Sequence, residues 1–343
     1  MKLCFRKNVI ELKNKPSVIS FASCVGKTEG EGPLHQYFDV CFPDDGINES
    51  SWEKAESKLL RTAIETAVEK SYLSTDDIDI VFAGDLMNQC TSSTYALRDF
   101  DVPFCGLFGA CSTMAYSLAL SSLVVDGGYR NIAVAATCSH FCSAEKQFRY
   151  PLEYGSQKPP SAQRTVTGAG TFIISENKKG DIIIPRIMFG KITDLGVCDT
   201  SNMGAAMAPA AAETIADFLL ETKSSPEEYD LILTGDLGKV GSKLLIEILN
   251  ERKNIDISSV HNDCGLMIFD FDSQDVHSGG SGCGCSAAVT ASYIMKKMQE
   301  QKYKKVLFAG TGALMSPLIS LQGESIPCIA HAVEFNIKEK NER

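Results

Sequence analysis

The chain has 343 residues, 44% of them hydrophobic, and a formal net charge of −10 at pH 7. This length and composition indicate a globular protein with one large domain or two closely packed ones. The acidic excess and the lack of a dense run of lysine and arginine argue against nucleic acid binding, because nothing would displace counterions from phosphate.

Targeting and metal-binding signals are weak along the whole sequence. Residues 1–7 lack the apolar core of a signal peptide, and no later run approaches the ~20 apolar residues that span a bilayer, so we expect a soluble, intracellular protein. The 13 cysteines are odd in number and irregularly spaced, which favours free thiols. Cys283 and Cys285 have no second ligand pair near them, so we expect neither a metal nor a cofactor.

In chain order, the first clear element pattern is a segment that occurs twice. Residues 78–86 recur without a gap as residues 229–237, and each copy reads as a buried strand ending in Gly-Asp-Leu. An amphipathic helix precedes each strand, with apolar residues at helical spacing: Leu60, Ile64, Ala67 and Val68 in the first copy, and Ala211, Ile215, Phe218 and Leu219 in the second. The chain therefore contains an internal duplication.

A second repeated pair follows the first. A helix begins at Cys111 and leads to a strand at residues 131–137, and its counterpart begins at Cys283 and leads to a strand at residues 305–311. Strands alternating with helices predict an α/β fold of two pseudo-symmetric βαβ-type halves with parallel sheets, which we divide into residues 1–176 and 177–343. We expect a pocket between the halves, beyond the carboxyl ends of the strands.

Cys111 is the leading candidate for site chemistry. The helix that it opens has no charged residue as far as Val125, so it should be buried between layers. The dipole and free N–H groups of the helix should favour a nucleophilic thiolate at Cys111. The alternatives are a small buried hydrophobic residue, or a helix terminus that receives a ligand carboxylate.

Two of the five histidines have positions that suggest a site role. His140 follows the strand after the Cys111 helix and should point into the pocket. His261 lies in extra residues of the second half, where inserted loops tend to carry function. Either can act as a general base or bind an anion, or can be a structural histidine with its hydrogen bonds satisfied. We take His35, His277 and His331 as structural or surface residues.

Residues 145–164 match neither a helix nor a strand and are predicted to form a long loop over the pocket. This segment combines cationic and aromatic side chains, namely Arg149, Lys158, Arg164, Phe148, Tyr150 and Tyr154. A guanidinium group binds a carboxylate through two parallel hydrogen bonds, and aromatic rings stack on one another, so the loop is suited to an aromatic acid. A solvated loop without a ligand is the alternative.

The duplicated layout with Cys111 at a buried helix mouth resembles the thiolase and ketosynthase superfamily over nearly the whole chain. Within it, the sequence resembles the stage V sporulation protein AD family of spore-forming bacteria. That second resemblance rests on residues 31–34, 83–86, 107–113, 147–151, 207–212 and 261–268. It implies a layered α-β-α-β-α arrangement and a homodimer.

The resemblance also implies a function. Such a protein binds dipicolinic acid, alone or with calcium, and loads it into the developing spore together with membrane proteins of its operon. It would lie in the forespore, peripheral to the inner spore membrane. The ligand-binding residues that we expect are Cys111, His140, His261, Asn262, Arg149, Arg164 and Cys283.

The alternative is an acyl-CoA condensing or acyltransferase enzyme. In that case Cys111 matches the nucleophile of the superfamily, and His261 stands roughly where its second-half histidine does. The sequence departs from the pattern at residues 282–285, where Gly-Cys-Gly-Cys replaces the Gly-His-Pro of thiolases and the Gly-Asn of ketosynthases. An incomplete catalytic set favours binding over catalysis.

Overall fold

A mixed β-sheet of twelve strands runs through the part of the chain that the computed structural model describes, residues 8–152, 157–176 and 180–338. Across the first half the strands lie in the order β5 (Phe104–Gly106), β4 (Ile80–Gly84), β6 (Ile132–Ser139), β8 (Gly168–Ser175) and β2 (Ser17–Val25). Across the second half the order is β11 (His261–Asp263), β10 (Leu231–Thr234), β13 (Lys305–Ala313), β14 (Cys328–Ile337) and β9 (Ile182–Met188).

The remaining strands are short. They are β1 (Val9–Glu11), β3 (Val40–Cys41), β7 (Arg164–Thr165) and β12 (Gly280–Ser281). β1 and β3 extend the large sheet, whereas β7 and β12 pair in parallel as a separate ribbon. Because β7 belongs to the first half and β12 to the second, this ribbon ties the two halves together beside the candidate site.

Helices occupy the connections between strands. They are α1 (Lys27–Gly30), α2 (Trp52–Lys70), α3 (Thr91–Leu97), α4 (Thr113–Asp126), α5 (Phe141–Phe148), α6 (Met203–Thr222), α7 (Gly238–Ile248), α8 (Cys264–Met267), α9 (Cys283–Val289), α10 (Met295–Gln299) and α11 (Pro317–Ser320). A π-helical segment, Thr290–Ile294, joins α9 to α10 into one continuous helix. The amphipathic helices predicted before the two Gly-Asp strands are α2 and α6.

The two halves have the same strand pattern, which confirms the α/β fold with two similar halves. In each half three strands are parallel, and the last two pair antiparallel with their neighbours. The prediction of parallel sheets therefore holds for three strands of each half, and the antiparallel strands were not predicted. The halves join where β2 meets β9, with Ser17 opposite Ile183. The boundary after residue 176 stays a prediction, since residues 177–179 lie outside the described part.

The central layer consists of α4 and the helix that begins at Cys283. α4 packs on β4, β6 and β8 of the first half and also on β13 and β14 of the second. It can do so because its side chains before Asp126, the last residue, are uncharged and mostly apolar or small, so neither side requires water. α2 and α6 cover the outer faces of the sheet, which gives the predicted five-layer arrangement.

Two sequence expectations need correction. Residues 145–148 are not loop but the end of α5, whose N-terminus is capped by the ring of His140. The helix Met203–Thr222 is long and apolar enough to cross a membrane, although no such segment was expected; 72% of its apolar window is buried inside the protein. Burial in the core accounts for its composition, because an outer helix that packs on the sheet needs an apolar face.

Candidate functional site

A narrow cavity of about 60 Å³ lies at the N-terminal end of the central helix α4 and contains Cys111. Both halves line it. The first half contributes Leu86, Phe108, Ala110, Cys111, Ala144, Glu145, Phe148, Arg149 and Thr165, and the second contributes Thr200, Met203, Ser281, Ala313 and Met315. Of the predicted site residues, the cavity therefore brings Cys111 and Arg149 together. Their contact with a ligand stays a prediction.

A tight turn holds Cys111 at the floor of this cavity. The turn spans Ala110–Ser112, and Ala110 has a φ of 49°, a left-handed conformation that costs a non-glycine residue about 1 to 2 kcal/mol. The Thr113 hydroxyl fixes the turn, since it donates to the Ala110 carbonyl at 2.6 Å and accepts from the Gly109 N–H at 3.1 Å. The strained backbone is thus held by its own hydrogen bonds.

Strand β13 supports the turn from behind. A Cβ atom at Gly312 would lie 2.4 Å from the Gly109 carbonyl oxygen, so only glycine allows this close approach. The position of Cys111 therefore depends on the second half of the chain as well as on its own helix.

A buried carboxylate lies beside the Cys111 thiol. Asp236 accepts hydrogen bonds from the Gly282 N–H at 2.8 Å, the Ser281 hydroxyl at 3.2 Å and the Thr311 hydroxyl at 2.8 Å. The Cys111 thiol lies close enough for the charge of Asp236 to raise its pKa. Burial raises the pKa of Asp236, while these hydrogen bonds oppose that rise.

This arrangement contradicts the expectation of a thiolate at residue 111. Cys111 is only 5% exposed, and its burial, together with the neighbouring charge of Asp236, raises the pKa of the thiol well above its usual range. The desolvation penalty therefore outweighs any benefit from the helix terminus. The thiol at this position is protonated at neutral pH.

Cys283, the other candidate cysteine, is near Cys111 but does not line the cavity. It is fully buried, and its thiol donates to the carbonyl of Cys138 at 3.0 Å. It packs in one small apolar cluster with Leu86, Cys111 and Ala144. Burial raises its pKa as well. In the described residues all twelve cysteines are free thiols.

His140 was expected to point into the cavity, but it does not. Its Nδ1 accepts a hydrogen bond from the Cys142 N–H at 3.1 Å, so its Nε2 carries the proton and donates to the Asp45 carbonyl at 2.7 Å. Burial is the main reason that its pKa is lowered. Nδ1 caps α5 and Nε2 binds the backbone of Asp45, so both ring nitrogens are used and His140 has a structural role.

His261 and Asn262 also lie away from the cavity lining. Thr234 donates its hydroxyl proton to Asp263 at 2.6 Å, so the Nε2 of His261, 3.0 Å away, donates to that hydroxyl oxygen. Burial lowers the pKa of His261 to about 4. Asn262 uses its side-chain oxygen to accept from the N–H of Asp263. The second-half residue beside Cys111 is therefore Asp236 and not a histidine.

The cationic residues of the segment 145–164 divide between two places. Arg149 lines the Cys111 cavity, with its Nε 3.4 Å from Glu145. Arg164 and Lys158 line a separate cleft on the other side of Glu145. Of the aromatic residues, Phe148 lines the cavity and Tyr150 is largely exposed. Tyr154 lies outside the described residues.

Sequence reasoning missed Asp236 as a site residue. The signal was present, because Asp236 belongs to the repeated Gly-Asp-Leu that revealed the duplication. Its counterpart, Asp85, is also buried and accepts from the backbone of Met87 and from Ser93. A polar residue that recurs at the end of both buried strands indicates either a structural acceptor or a site residue, and only the fold separates the two.

Comparisons with known sequences identify a family. Residues 6–336 match the family model described as Stage V sporulation protein AD (SpoVAD). A relative from Bacillus subtilis (strain 168), Stage V sporulation protein AD, is 47% identical over 318 residues, which covers 93% of each chain.

Solved structures with the same fold are condensing enzymes and thiolases. The 3-oxoacyl-[acyl-carrier-protein] synthase III of Aquifex aeolicus VF5 is 14% identical, with a TM-score of 0.56 and coverage of 94% of this chain and 99% of that one. The human mitochondrial 3-ketoacyl-CoA thiolase in complex with CoA is 13% identical, with a TM-score of 0.58 and coverage of 96% and 100%. Identities this low establish the thiolase-like fold alone.

Proposed function

We propose, from the premise that this chain belongs to the stage V sporulation protein AD family, that it binds dipicolinic acid and supports its uptake into the developing spore. Family membership supports a role in sporulation. The finer proposal is that the protein is a ligand-binding component of membrane transport machinery, acting with membrane proteins of its operon. Dipicolinate would arrive alone or with calcium.

One observation carries the choice of binding over catalysis. The buried carboxylate of Asp236 helps to raise the pKa of the Cys111 thiol, and within the described residues no histidine lines the cavity. A nucleophilic cysteine needs a lowered pKa or an adjacent base that takes its proton. A carboxylate neighbour raises the thiol pKa instead, so the fold keeps the pocket without the activated nucleophile.

The cavity offers dipicolinate, a planar pyridine with two carboxylates, a limited set of partners. Arg149 is the cation of its lining. Its contact with Glu145 is through Nε, and within the described residues its four terminal N–H groups have no recorded hydrogen bond, so they can donate to a carboxylate. The hydroxyls of Thr165 and Thr200 supply uncharged donors, and Phe148 supplies an aromatic face. These groups suit a flat aromatic acid that places one of its carboxylates at the rim of the cavity.

Isothermal titration calorimetry of the purified protein with dipicolinate tests the proposal. We expect saturable heat, and we expect Arg149→Gln to weaken binding by about tenfold or more, since a charged hydrogen bond is lost. Arg98→Gln removes the same charge from an exposed site and should leave the affinity unchanged. Absence of heat at millimolar ligand would refute dipicolinate binding.

Acyl transfer is the second candidate, favoured by the position of Cys111 on the floor of a cavity in a thiolase-like fold. It requires an acyl thioester on Cys111. Mass spectrometry after incubation with acyl-CoA would show an adduct that is lost in Cys111→Ala. Without such an adduct the enzyme hypothesis fails, whatever the calorimetry shows.

A homodimer and a peripheral position at the inner spore membrane are further parts of the proposal. Superfamily resemblance supports the dimer, and family membership supports a place in the forespore. Sedimentation equilibrium tests the first. Fractionation of forespore membranes, with and without the partner proteins of the operon, tests the second.

A further inference from the structure

A second opening lies next to the Cys111 cavity and is far larger. It is an open cleft of about 420 Å³, separated from the cavity by Glu145, which borders both. Its walls include Trp52, Phe141, Lys146, Lys158, Arg164 and His277. We call it the Arg164 cleft.

Arg164 has fewer partners than an arginine in its position requires. Its guanidinium lies 3.9 Å from the centre of the Phe141 ring, and one terminal nitrogen donates weakly to the Thr28 hydroxyl at 3.3 Å. Its Nε is buried without a hydrogen-bond partner, and within the described residues no carboxylate lies within 4 Å of it. A buried donor left unpaired is costly unless a ligand or water satisfies it.

Cations exceed anions around this cleft. Glu145 is shared by Lys158, at 2.8 Å, and by Arg149, at 3.4 Å, so one carboxylate serves two cations. Lys146 has its own partner, because its Nζ lies 2.6 Å from Glu53. Asp275 also lines the cleft, 3.5 Å from His277. The lining therefore has three cations, Lys146, Lys158 and Arg164, and two carboxylates, Glu145 and Asp275, which is a small positive excess in a chain whose net charge is −10.

Glu29, the acidic residue whose charge interacts with Arg164, compensates the positive charge of Arg164 poorly. Glu29 is fully buried, one of its carboxylate oxygens has no hydrogen-bond partner, and burial raises its pKa to about 7. It is therefore largely protonated below neutral pH. The guanidinium of Arg164 keeps unpaired donors and uncompensated charge beside a cleft wide enough for a small organic ligand.

We propose that the Arg164 cleft is a binding site for a small organic carboxylate, which pairs with the guanidinium of Arg164 and the ammonium of Lys158. Planar guanidinium groups bind carboxylates through two parallel hydrogen bonds, which explains the preference for this anion class. The proposal goes beyond the function proposed above and does not depend on it, because dipicolinate is only one of the acids that fit.

The chain provides a site-specific probe. Trp52 is its single tryptophan, forms one wall of the cleft and is 42% exposed. We would titrate the full-length protein with benzoate, dipicolinate and inorganic phosphate and follow Trp52 emission, excited at the red edge of indole absorbance. We expect a saturable change with the two carboxylates and a much weaker response to phosphate.

Variants separate binding from folding. Arg164→Gln should weaken carboxylate binding by about tenfold or more, and Arg164→Lys should restore part of it. Arg98→Gln serves as the exposed control, and far-ultraviolet circular dichroism verifies that each variant is folded. If folded Arg164→Gln binds benzoate as the wild type does, or if phosphate binds as well as the carboxylates, the assignment is wrong.

The outcome is independent of the proposed function. One outcome is that dipicolinate gives calorimetric heat while neither dipicolinate nor benzoate changes Trp52 emission. That result would refute binding in the Arg164 cleft and leave dipicolinate binding intact. A Trp52 response to benzoate without dipicolinate heat would support the cleft and overturn the proposed function.

Discussion

Replacing Asp236 by asparagine tests the account of the Cys111 site most directly. Asp236 accepts from Gly282, Ser281 and Thr311, and asparagine keeps only one of the two accepting oxygens. About two buried donors would then lose their acceptor, at roughly 1 kcal/mol each, so we expect the free energy of unfolding to fall by about 2 kcal/mol. Urea denaturation measures this loss.

The same substitution should make the thiol more reactive. Removing the carboxylate removes a negative charge that raises the pKa of Cys111, so alkylation at mildly alkaline pH should become about fivefold faster or more. Peptide mapping by mass spectrometry isolates residue 111 from the other cysteines. Comparison is made with the wild type at identical pH and temperature.

Asp85→Asn provides the matched control. Asp85 occupies the same position in the first Gly-Asp-Leu and accepts from Met87 and Ser93, so its loss should cost a similar free energy of unfolding. It should leave alkylation of Cys111 unchanged. Equal Cys111 rates in the two variants would mean that general loosening, and not the charge of Asp236, controls the thiol, and our reasoning would be refuted.

Three further perturbations follow from the structure. The pKa of Glu29 is raised from 4.5 to about 7, so its contribution to stability is complete below pH 4.5 and is lost as pH rises through 7. Glu29→Gln should therefore show a smaller loss of stability with rising pH. At pH 8 the variant should be more stable than the wild type, by at most on the order of 3 kcal/mol in thermal or urea unfolding. Gly312→Ala places a Cβ against the Gly109 carbonyl and should destabilise the protein by about 1 to 3 kcal/mol and weaken dipicolinate binding, whereas an unchanged melting temperature would contradict the close approach. His140→Ala should lower stability by about 2 kcal/mol through loss of the α5 cap and its buried hydrogen bonds, yet leave the dipicolinate affinity per folded molecule unchanged; a large loss of affinity would restore His140 to the site.

Local patterns gave the secondary structure of the repeats well. The spacing of Leu60, Ile64 and Ala67 predicts a helix because apolar residues three and four positions apart share one face, and α2 has that face buried. The uncharged run after Cys111 predicts a helix buried on all sides, and α4 lies between the two halves. Such features depend on neighbours in sequence, which is why the sequence reveals them.

Site composition was harder to predict, because it depends on which distant groups meet. His140 and His261 have suitable positions in the sequence, but His140 uses both ring nitrogens, and His261 its Nε2, in hydrogen bonds away from the cavity. Arg149 and Arg164 lie in one segment, yet Glu145 separates them into two openings. Side-chain direction and burial decide these outcomes, and neither follows from spacing alone.

By itself the sequence determined the duplication, the α/β class, the family and the place of Cys111 at the start of a buried helix, because repeats and periodicity are written along the chain. Only the tertiary structure decided the ionisation of that thiol. The pKa of Cys111 depends on burial and on Asp236, a residue from the other half of the chain. Charges interact through space, so the chemistry of the site was fixed only when the two halves packed against each other.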